Sequence, residues 1–281
     1  MIDYLKSLPF YVFPHHLLSW LVFHLARVEW EPVKRLSLSV YLNLHTVNMK
    51  EAVEENPYAY KNLNAFFTRA LKPDVRPFAD GDTTLLCPVD GAVSQAKPVE
   101  DGRIFQAKGR DYSLLELVGG KEALAQPFNN GKFATLYLSP RDYHRIHMPI
   151  AGKLTDMVYI PGRLFSVAPH TVNTIPRLFA RNERLVCKFD TACGPMIMVL
   201  VGAVNVSAID TVWAGSVTPP SKRHIIHTTY ESVDIRLEKG AEMGRFNLGS
   251  TVIMLLGEDV ELADGIVAGE GVRLGQALGR F

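Results

Sequence analysis

Cysteine is scarce in this chain. The three present, Cys87, Cys187 and Cys193, are odd in number and fall in no Cys-x-x-Cys spacing. That argues against a disulfide framework and a structural zinc site, and fits a reducing compartment. An excess of one charge is also missing, with 30 Lys+Arg against 29 Asp+Glu and a formal net charge of +1. A protein that grips nucleic acid by neutralising phosphates normally carries a basic excess, so no nucleic-acid partner is expected. No run reaches the roughly 18–20 continuous apolar residues that a bilayer-crossing helix needs. The nearest approach, Leu17 to Ala26, is short, is bordered by His15, His16 and Arg27, and lacks the small-residue cleavage site of a signal peptide. Glycine (21) and proline (17) are too few for a collagen-like or low-complexity chain. These absences leave a chain that does not cross a membrane but can lie on one.

What is present suits a packed core: 281 residues, 47% of them hydrophobic and 21% charged, enough for one large domain or a domain with an appendage. The N-terminal part reads as helices. Leu17 to Ala26 is apolar nearly all round, as in a helix buried in protein or in lipid headgroups. A second helix is expected from Pro32 through Leu36, Val40 and Leu44. A third follows Asn56-Pro57, where Leu63, Phe66, Phe67, Ala70 and Leu71 hold helical spacing until Pro73 stops it. After Pro77 strand-like runs appear at 133–139, 196–201, 204–209 and 252–256, interrupted by one helical piece from Leu114 to Val118. Helices first and strands after predict an α+β fold. A faint echo joins Pro88-Val89-Asp90-Gly91 to Pro149-Ile150-Ala151-Gly152, each ahead of a strand.

Three segments could carry chemistry. Asp90 precedes a glycine, which is ordinary turn chemistry, so it counts only in combination. The stretch Pro140-Arg141-Asp142-Tyr143-His144-Arg145-Ile146-His147-Met148-Pro149 packs two histidines and two arginines between prolines. Its plainer reading is one hydrogen-bonded core histidine and one exposed one. Three residues apart on a strand, the two rings point to opposite faces, and no Cys or Glu cluster completes a ligand set, so no metal is expected. The third segment, Met243-Gly244-Arg245-Phe246-Asn247-Leu248-Gly249-Ser250-Thr251-Val252-Ile253, is neither a G-x-S-x-G elbow nor a Gly-Lys-Ser/Thr phosphate loop. A glycine carbonyl next to a serine hydroxyl is nevertheless the arrangement for an N→O acyl shift, provided the backbone is held strained.

Taken together these segments resemble the bacterial phosphatidylserine decarboxylases. The similarity is carried in order by Asn64-Ala65-Phe66-Phe67-Thr68-Arg69, Pro88-Val89-Asp90-Gly91, Asp142-Tyr143-His144-Arg145-Ile146-His147-Met148-Pro149 and Pro161-Gly162-Arg163-Leu164-Phe165-Ser166-Val167. It continues with Phe179-Ala180-Arg181-Asn182-Glu183-Arg184, Val201-Gly202-Ala203, Val212-Trp213-Ala214-Gly215, Thr218-Pro219-Pro220 and Leu248-Gly249-Ser250-Thr251. It is dense over about residues 60–256 and loose in the N-terminal helices. One departure, Val206-Ser207-Ala208-Ile209 where the family tends to have Val-Gly-Ser-Ile, touches nothing catalytic.

The resemblance implies a proenzyme that cuts itself between Gly249 and Ser250, giving a β-chain 1–249 and an α-chain 250–281. Ser250 would attack the Gly249 carbonyl, and elimination would leave a pyruvoyl cofactor derived from Ser250. Asp90, His147 and Ser250 would form the processing triad. The pyruvoyl carbonyl would form a Schiff base with phosphatidylserine and drain electrons from the departing carboxylate, leaving phosphatidylethanolamine. His144 is the expected proton donor, because an ordinary histidine pKa near 6.5 suits that task. Ser166 is a candidate substrate contact. Residues 1–72 would be a helical, membrane-facing region packed on a β-rich catalytic domain, 73–281. The implied partners are phosphatidylserine and membrane lipids, with the α- and β-chains staying together and a homo-oligomer left open. The implied location is the cytoplasmic side of the cell membrane, peripherally attached. A pyruvoyl-dependent decarboxylase of a soluble amino acid and a non-enzymatic β-rich binding protein are the alternatives.

Overall fold

A computed structural model of the chain describes residues 2–204, 208–218 and 224–281. Helices open the chain: α1 (Ile2–Ser7), α2 (Pro9–Val12), α3 (His15–Leu25) and α4 (Glu31–Leu44). α4 begins where expected, with Pro32 in its first turn and Glu31 bridging Lys34 and Arg35, each at 2.7 Å. α3 is built inside out. The residues it buries are His15 and Ser19, while Leu17, Trp20, Leu21 and Leu25 stand exposed.

The long third helix expected after Asn56-Pro57 does not form. In its place are a 3-10 turn, Pro57–Ala59, and the five-residue helix α5 (Leu63–Phe67). The break lies at Asn62, whose extended backbone and side-chain bond to the Ala65 N–H (2.9 Å) start a new helix. Beyond Thr68 the chain is extended, with Ala70 O taken by Val53 N–H and Lys72 N–H given to Glu51 O. Long-range backbone pairing outweighs the local helical spacing there.

The strands are β1 (Thr84–Leu86), β2 (Gly91–Pro98), β3 (Arg103–Ala107), β4 (Arg110–Ser113), β5 (Lys132–Leu138), β6 (Arg145–His147), β7 (Gly152–Ile160), β8 (Arg184–Thr191) and β9 (Gly194–Val201). They continue with β10 (Ile209–Thr211), β11 (Gly215–Ser216), β12 (Ile226–Thr229), β13 (Arg236–Leu237), β14 (Glu242–Phe246), β15 (Ser250–Leu256), β16 (Glu261–Leu262), β17 (Gly271–Val272) and β18 (Ala277–Arg280). A short helix, α6 (Leu114–Leu117), sits where the sequence suggested one. The run expected over 204–209 yields a strand only from Ile209; residues 205–207 lie outside the described residues, as do Pro219 and Pro220. The class is α+β, as the order of helices and strands predicted.

One antiparallel sheet runs β12-β7-β8-β9-β15-β5-β2-β17, with β13 also paired to β7. β15 lies between β9 and β5, and all seven of its residues are buried. Each large apolar side chain it sinks adds about 1.5–3 kcal/mol, so the strand is firmly anchored from its first residue, Ser250. A second sheet, β11-β10-β14-β6, carries the histidine strand β6 beside β14, which leads into the Gly249–Ser250 junction. A third, β1-β18-β16, ties the C-terminal segment back to residues 84–86. The sequence echo is structural: Leu86 N–H bonds Pro149 O and His147 N–H bonds Pro88 O, and β2 and β7 each start at the motif's glycine.

Candidate active site

Between β14 and β15 the backbone is contorted. Leu248 has φ 99° and Gly249 has φ 44°. Glycine tolerates such a torsion, whereas for leucine it costs roughly 1–3 kcal/mol and persists only where the surroundings impose it. The surroundings do impose it. Upstream, Asn247 N–H donates to Ala208 O (2.9 Å), and Asn64 Nδ2 donates to Asn247 Oδ1 (3.0 Å). Leu248 itself packs with Ala26 and Phe67. Downstream, Ser250 is already paired with Leu138 in the sheet. The Ser250 hydroxyl that follows this turn is sealed from solvent and has no hydrogen-bond partner among the described residues. A buried, unsatisfied hydroxyl is costly in a folded chain and is commonly found where chemistry is intended.

His144 immediately precedes β6, on the side nearest the junction, and its carbonyl accepts from Phe246 N–H. It is fully buried under Phe67, ring centroids 4.1 Å apart. Nδ1 donates to Asp142 O at 2.9 Å, which leaves Nε2 as the basic nitrogen, also without a partner. Burial, aided by the charge of Arg69 and opposed by the Asp142 bond, pushes its pKa down to about 3. The ordinary histidine pKa assumed from the sequence therefore does not hold here: burial favours the uncharged imidazole of His144.

His147 sits at the other end of β6, roughly 10 Å away at three residues of strand rise. Its Nδ1 donates to Gly240 O (2.8 Å) and its Nε2 meets the Tyr143 hydroxyl (3.1 Å). Burial lowers its pKa as well. Asp90 is buried nearby, but both its oxygens are taken: Arg76 forks onto it and Leu274 N–H donates to Oδ1 at 2.9 Å. Among the described residues no hydrogen bond links Asp90 to His147, or either to Ser250. Asp90 reaches the imidazole as a charge alone, one that favours its protonated form. Ser166 is turned into its own loop, with Oγ accepting from Ala168 N–H (3.2 Å). Asn182 ties that loop to Gly202, just past the strand beside Ser250.

α5 separates two cavities. On its Leu63–Phe67 face, an apolar groove of about 500 Å³ runs between α3 and α4 and reaches Leu248 and Gly249. On its Asn64–Thr68 face lies a polar cavity of about 630 Å³ with Arg69, Arg145, Arg245 and Asn247 in its walls. Ser166 is not among the described residues lining either. Among the described residues, no group of three or more His, Cys, Asp or Glu is placed to hold a metal ion. Sequence reasoning missed Arg76, which lies outside every candidate motif; Tyr143 and Leu248 fall inside the motifs, but nothing in the sequence marked the contact of the Tyr143 hydroxyl with His147 or the positive φ of Leu248.

A protein-family model described as Phosphatidylserine decarboxylase matches residues 63–280, and a second, described as PSD, matches residues 5–37. The phosphatidylserine decarboxylase proenzyme of Pseudomonas entomophila (strain L48) is 56% identical over 272 residues, 95% of this chain and 94% of the relative. The proenzyme of the same name from Alkalilimnicola ehrlichii is 54% identical over 255 residues, 90% of this chain and 88% of the relative. That from Pseudomonas aeruginosa (strain LESB58) is 55% identical over 274 residues, 95% and 94%. The match thus runs through the helices, the histidine strand and the strained Gly249–Ser250 turn alike, and the chain belongs to the phosphatidylserine decarboxylase family.

Proposed function

We propose that this chain decarboxylates phosphatidylserine to phosphatidylethanolamine after cutting itself between Gly249 and Ser250. The observation that carries the proposal is the junction: two successive positive φ angles ahead of a sealed, unpartnered serine hydroxyl. Ser250 Oγ attacks the Gly249 carbonyl carbon, the peptide C–N bond breaks, and the acyl group moves to oxygen as an ester. Loss of the Ser250 Cα proton expels the Gly249 carboxylate and frees the new chain end. Hydrolysis of the residual enamine with release of ammonia leaves a pyruvoyl group at residue 250. When present, that group supplies a carbonyl that binds the substrate amine and accepts the electrons of the departing carboxylate. The residues around Ser250 suit such a group: the Ser250 hydroxyl is buried and unpartnered, and so is Nε2 of His144, whose carbonyl is bonded to Phe246 on the strand that leads into the junction.

In processing, His147 is the proposed base for the Ser250 proton; it stands at the end of β6 away from the junction, so it has to move toward Ser250 as well as leave the Tyr143 hydroxyl, and the charge of Asp90 favours its imidazolium. In decarboxylation, His144 is the proposed donor of the proton that the substrate Cα takes up as the carboxylate leaves, and burial disfavours its charged form, which makes the imidazolium a ready proton donor. One observation favours a second reading, in which His144 also serves processing: its Nε2 and Ser250 Oγ are both buried and unpartnered near the same turn. His144→Ala and His147→Ala separate the readings, with cleavage followed on a gel and carbon dioxide release on the same preparation. A His144→Ala chain that matures but turns over slowly supports the first reading, and one that stays uncut supports the second. Wild-type rates in both assays would remove His144 from the mechanism. Ser250→Ala is expected to leave one uncut, inactive chain.

A lipid substrate is favoured over a soluble amino acid by the helical region, residues 1–72. α3 turns its leucines and Trp20 outward, α4 exposes Leu36, Val40 and Leu44, and Trp30 stands between them. An apolar surface of this extent marks a lipid or protein contact. Among the described residues no helix is long and apolar enough to cross a membrane, which is compatible with the peripheral attachment proposed here. The cytoplasmic side suits three free cysteines. The β-rich part, 73–281, holds both cut pieces, because the C-terminal 32 residues remain woven into the sheets through β15 and β16 to β18.

A further inference from the structure

We propose that Arg76 is a positioning residue of the processing centre, acting through Asp90; this rests on the role given to Asp90 above. A carboxylate with 7% exposure needs its charge met and its lone pairs filled. Arg76 does both. Its Nε lies 2.9 Å from Oδ1 and 3.1 Å from Oδ2, and its Nη2 lies 2.6 Å from Oδ2. The guanidinium is itself fixed, with Nη2 also 2.6 Å from Glu51 Oε2 and Nη1 donating to Val75 O at 2.9 Å. A planar fork held at four points sets the plane of the carboxylate it grips, which a lysine ammonium cannot do.

The parts that meet here come from three regions of the chain. Glu51 belongs to the helical region, Arg76 and Asp90 to the start of the β-rich part, and the Leu274 N–H to the segment beyond the cut. Pro88, two residues before Asp90, accepts the His147 N–H, so the clamp on Asp90 also fixes where its charge stands relative to the imidazole. The clamp thereby keeps Asp90 off the ring: it tunes His147 across space, and the chain is cut only when the helical region and the C-terminal segment are both seated. A cavity of about 380 Å³ is lined by Arg76, Asp90, Tyr143 and Arg141, which gives a small cation access to the clamp.

The test is a double-mutant cycle on the rate of precursor cleavage in the full-length chain, using Arg76→Gln, Asp90→Asn and both together, each checked for folding by its urea midpoint. Arg76→Gln is expected to slow cleavage about ten-fold or more. It should add nothing in the Asp90→Asn background, and millimolar guanidinium chloride should speed Arg76→Gln but not Asp90→Asn. Effects that multiply, with no rescue, mean that the pair is structural and overturn the proposal. An Arg76→Gln chain that matures at the wild-type rate while Asp90→Asn lags overturns the role of Arg76 alone. Wild-type maturation of Asp90→Asn overturns the reading of Asp90 instead. Arg76→Lys covers the case in which Arg76→Gln does not fold: several-fold slower cleavage at an unchanged urea midpoint is expected, and an unchanged rate overturns the proposal.

Discussion

Leu248 offers a direct test of whether backbone strain helps cut the chain. Its φ of 99° is a conformation that a residue bearing a Cβ avoids, at a cost of roughly 1–3 kcal/mol. If distortion of the Leu248–Gly249 turn is released as the acyl shift proceeds, removing it from the starting state raises the barrier by as much. Glycine at 248 does that, and 1–3 kcal/mol corresponds to cleavage about 5- to 150-fold slower. Glycine also deletes a side chain with 7% exposure that packs on Ala26 and Phe67, a separate loss of roughly 2–5 kcal/mol in stability. Leu248→Ala makes nearly the same packing loss but keeps the Cβ and hence the strain, so the comparison that matters is glycine against alanine. The glycine variant should unfold at the higher urea concentration of the two yet mature more slowly. Pulse-labelled synthesis followed by a denaturing gel measures the maturation rate. A glycine variant that matures as fast as the alanine variant, or faster, would refute the strain argument.

Three further outcomes follow from the same geometry. Trp20→Ser with Leu21→Ser should reduce pelleting with anionic vesicles without slowing cleavage, since both side chains are exposed on α3; unchanged binding would move the membrane contact elsewhere. Asn64→Ala removes the 3.0 Å bond that pins Asn247 and should slow maturation several-fold, in keeping with about 1 kcal/mol for a buried hydrogen bond; wild-type maturation would mean that Leu248 is held without it. The folded pKa of His144, about 3, lies below the roughly 6.5 of an unfolded histidine. Between those values the unfolded chain binds a proton that the folded chain refuses. Stability is therefore whole above pH 6.5 and declines as pH falls, by about 1.4 kcal/mol at pH 5.5 from this group. Urea midpoints at pH 7.5 and 5.5 should show a smaller acid penalty for His144→Gln than for wild type, and equal penalties would contradict the burial effect.

The sequence made some of this legible and hid the rest, for physical reasons. β15 was readable because an unbroken apolar run next to Gly-Ser has few places to go but the middle of a sheet. α4 was readable from Pro32 and its spacing. The helix expected over 57–71 failed because Leu63, Phe66, Phe67 and Leu71 keep helical spacing, yet Asn62 caps a new helix and residues 70–72 pair with residues 51–53. Asp90 and the two histidines were visible as candidates. Their partners were not, since Arg76 and the Leu274 N–H meet Asp90, and Glu51 meets Arg76, only after distant segments fold together. The low pKa of His144 arises from burial under Phe67, 77 positions earlier in the chain, which no local pattern encodes.

On this account the chain itself cuts the Gly249–Ser250 bond, next to the strained Leu248 torsion, and leaves a carbonyl at residue 250. The most direct test of that claim is the intact mass of the purified protein under denaturing conditions, before and after borohydride reduction in the presence of phosphatidylserine. Two chains of 249 and 32 residues are expected, the shorter one blocked at its N-terminus and gaining the mass of a reduced amine adduct. A single stable 31.3 kDa chain, or a shorter chain that starts with an unmodified serine and takes up no amine, would contradict it.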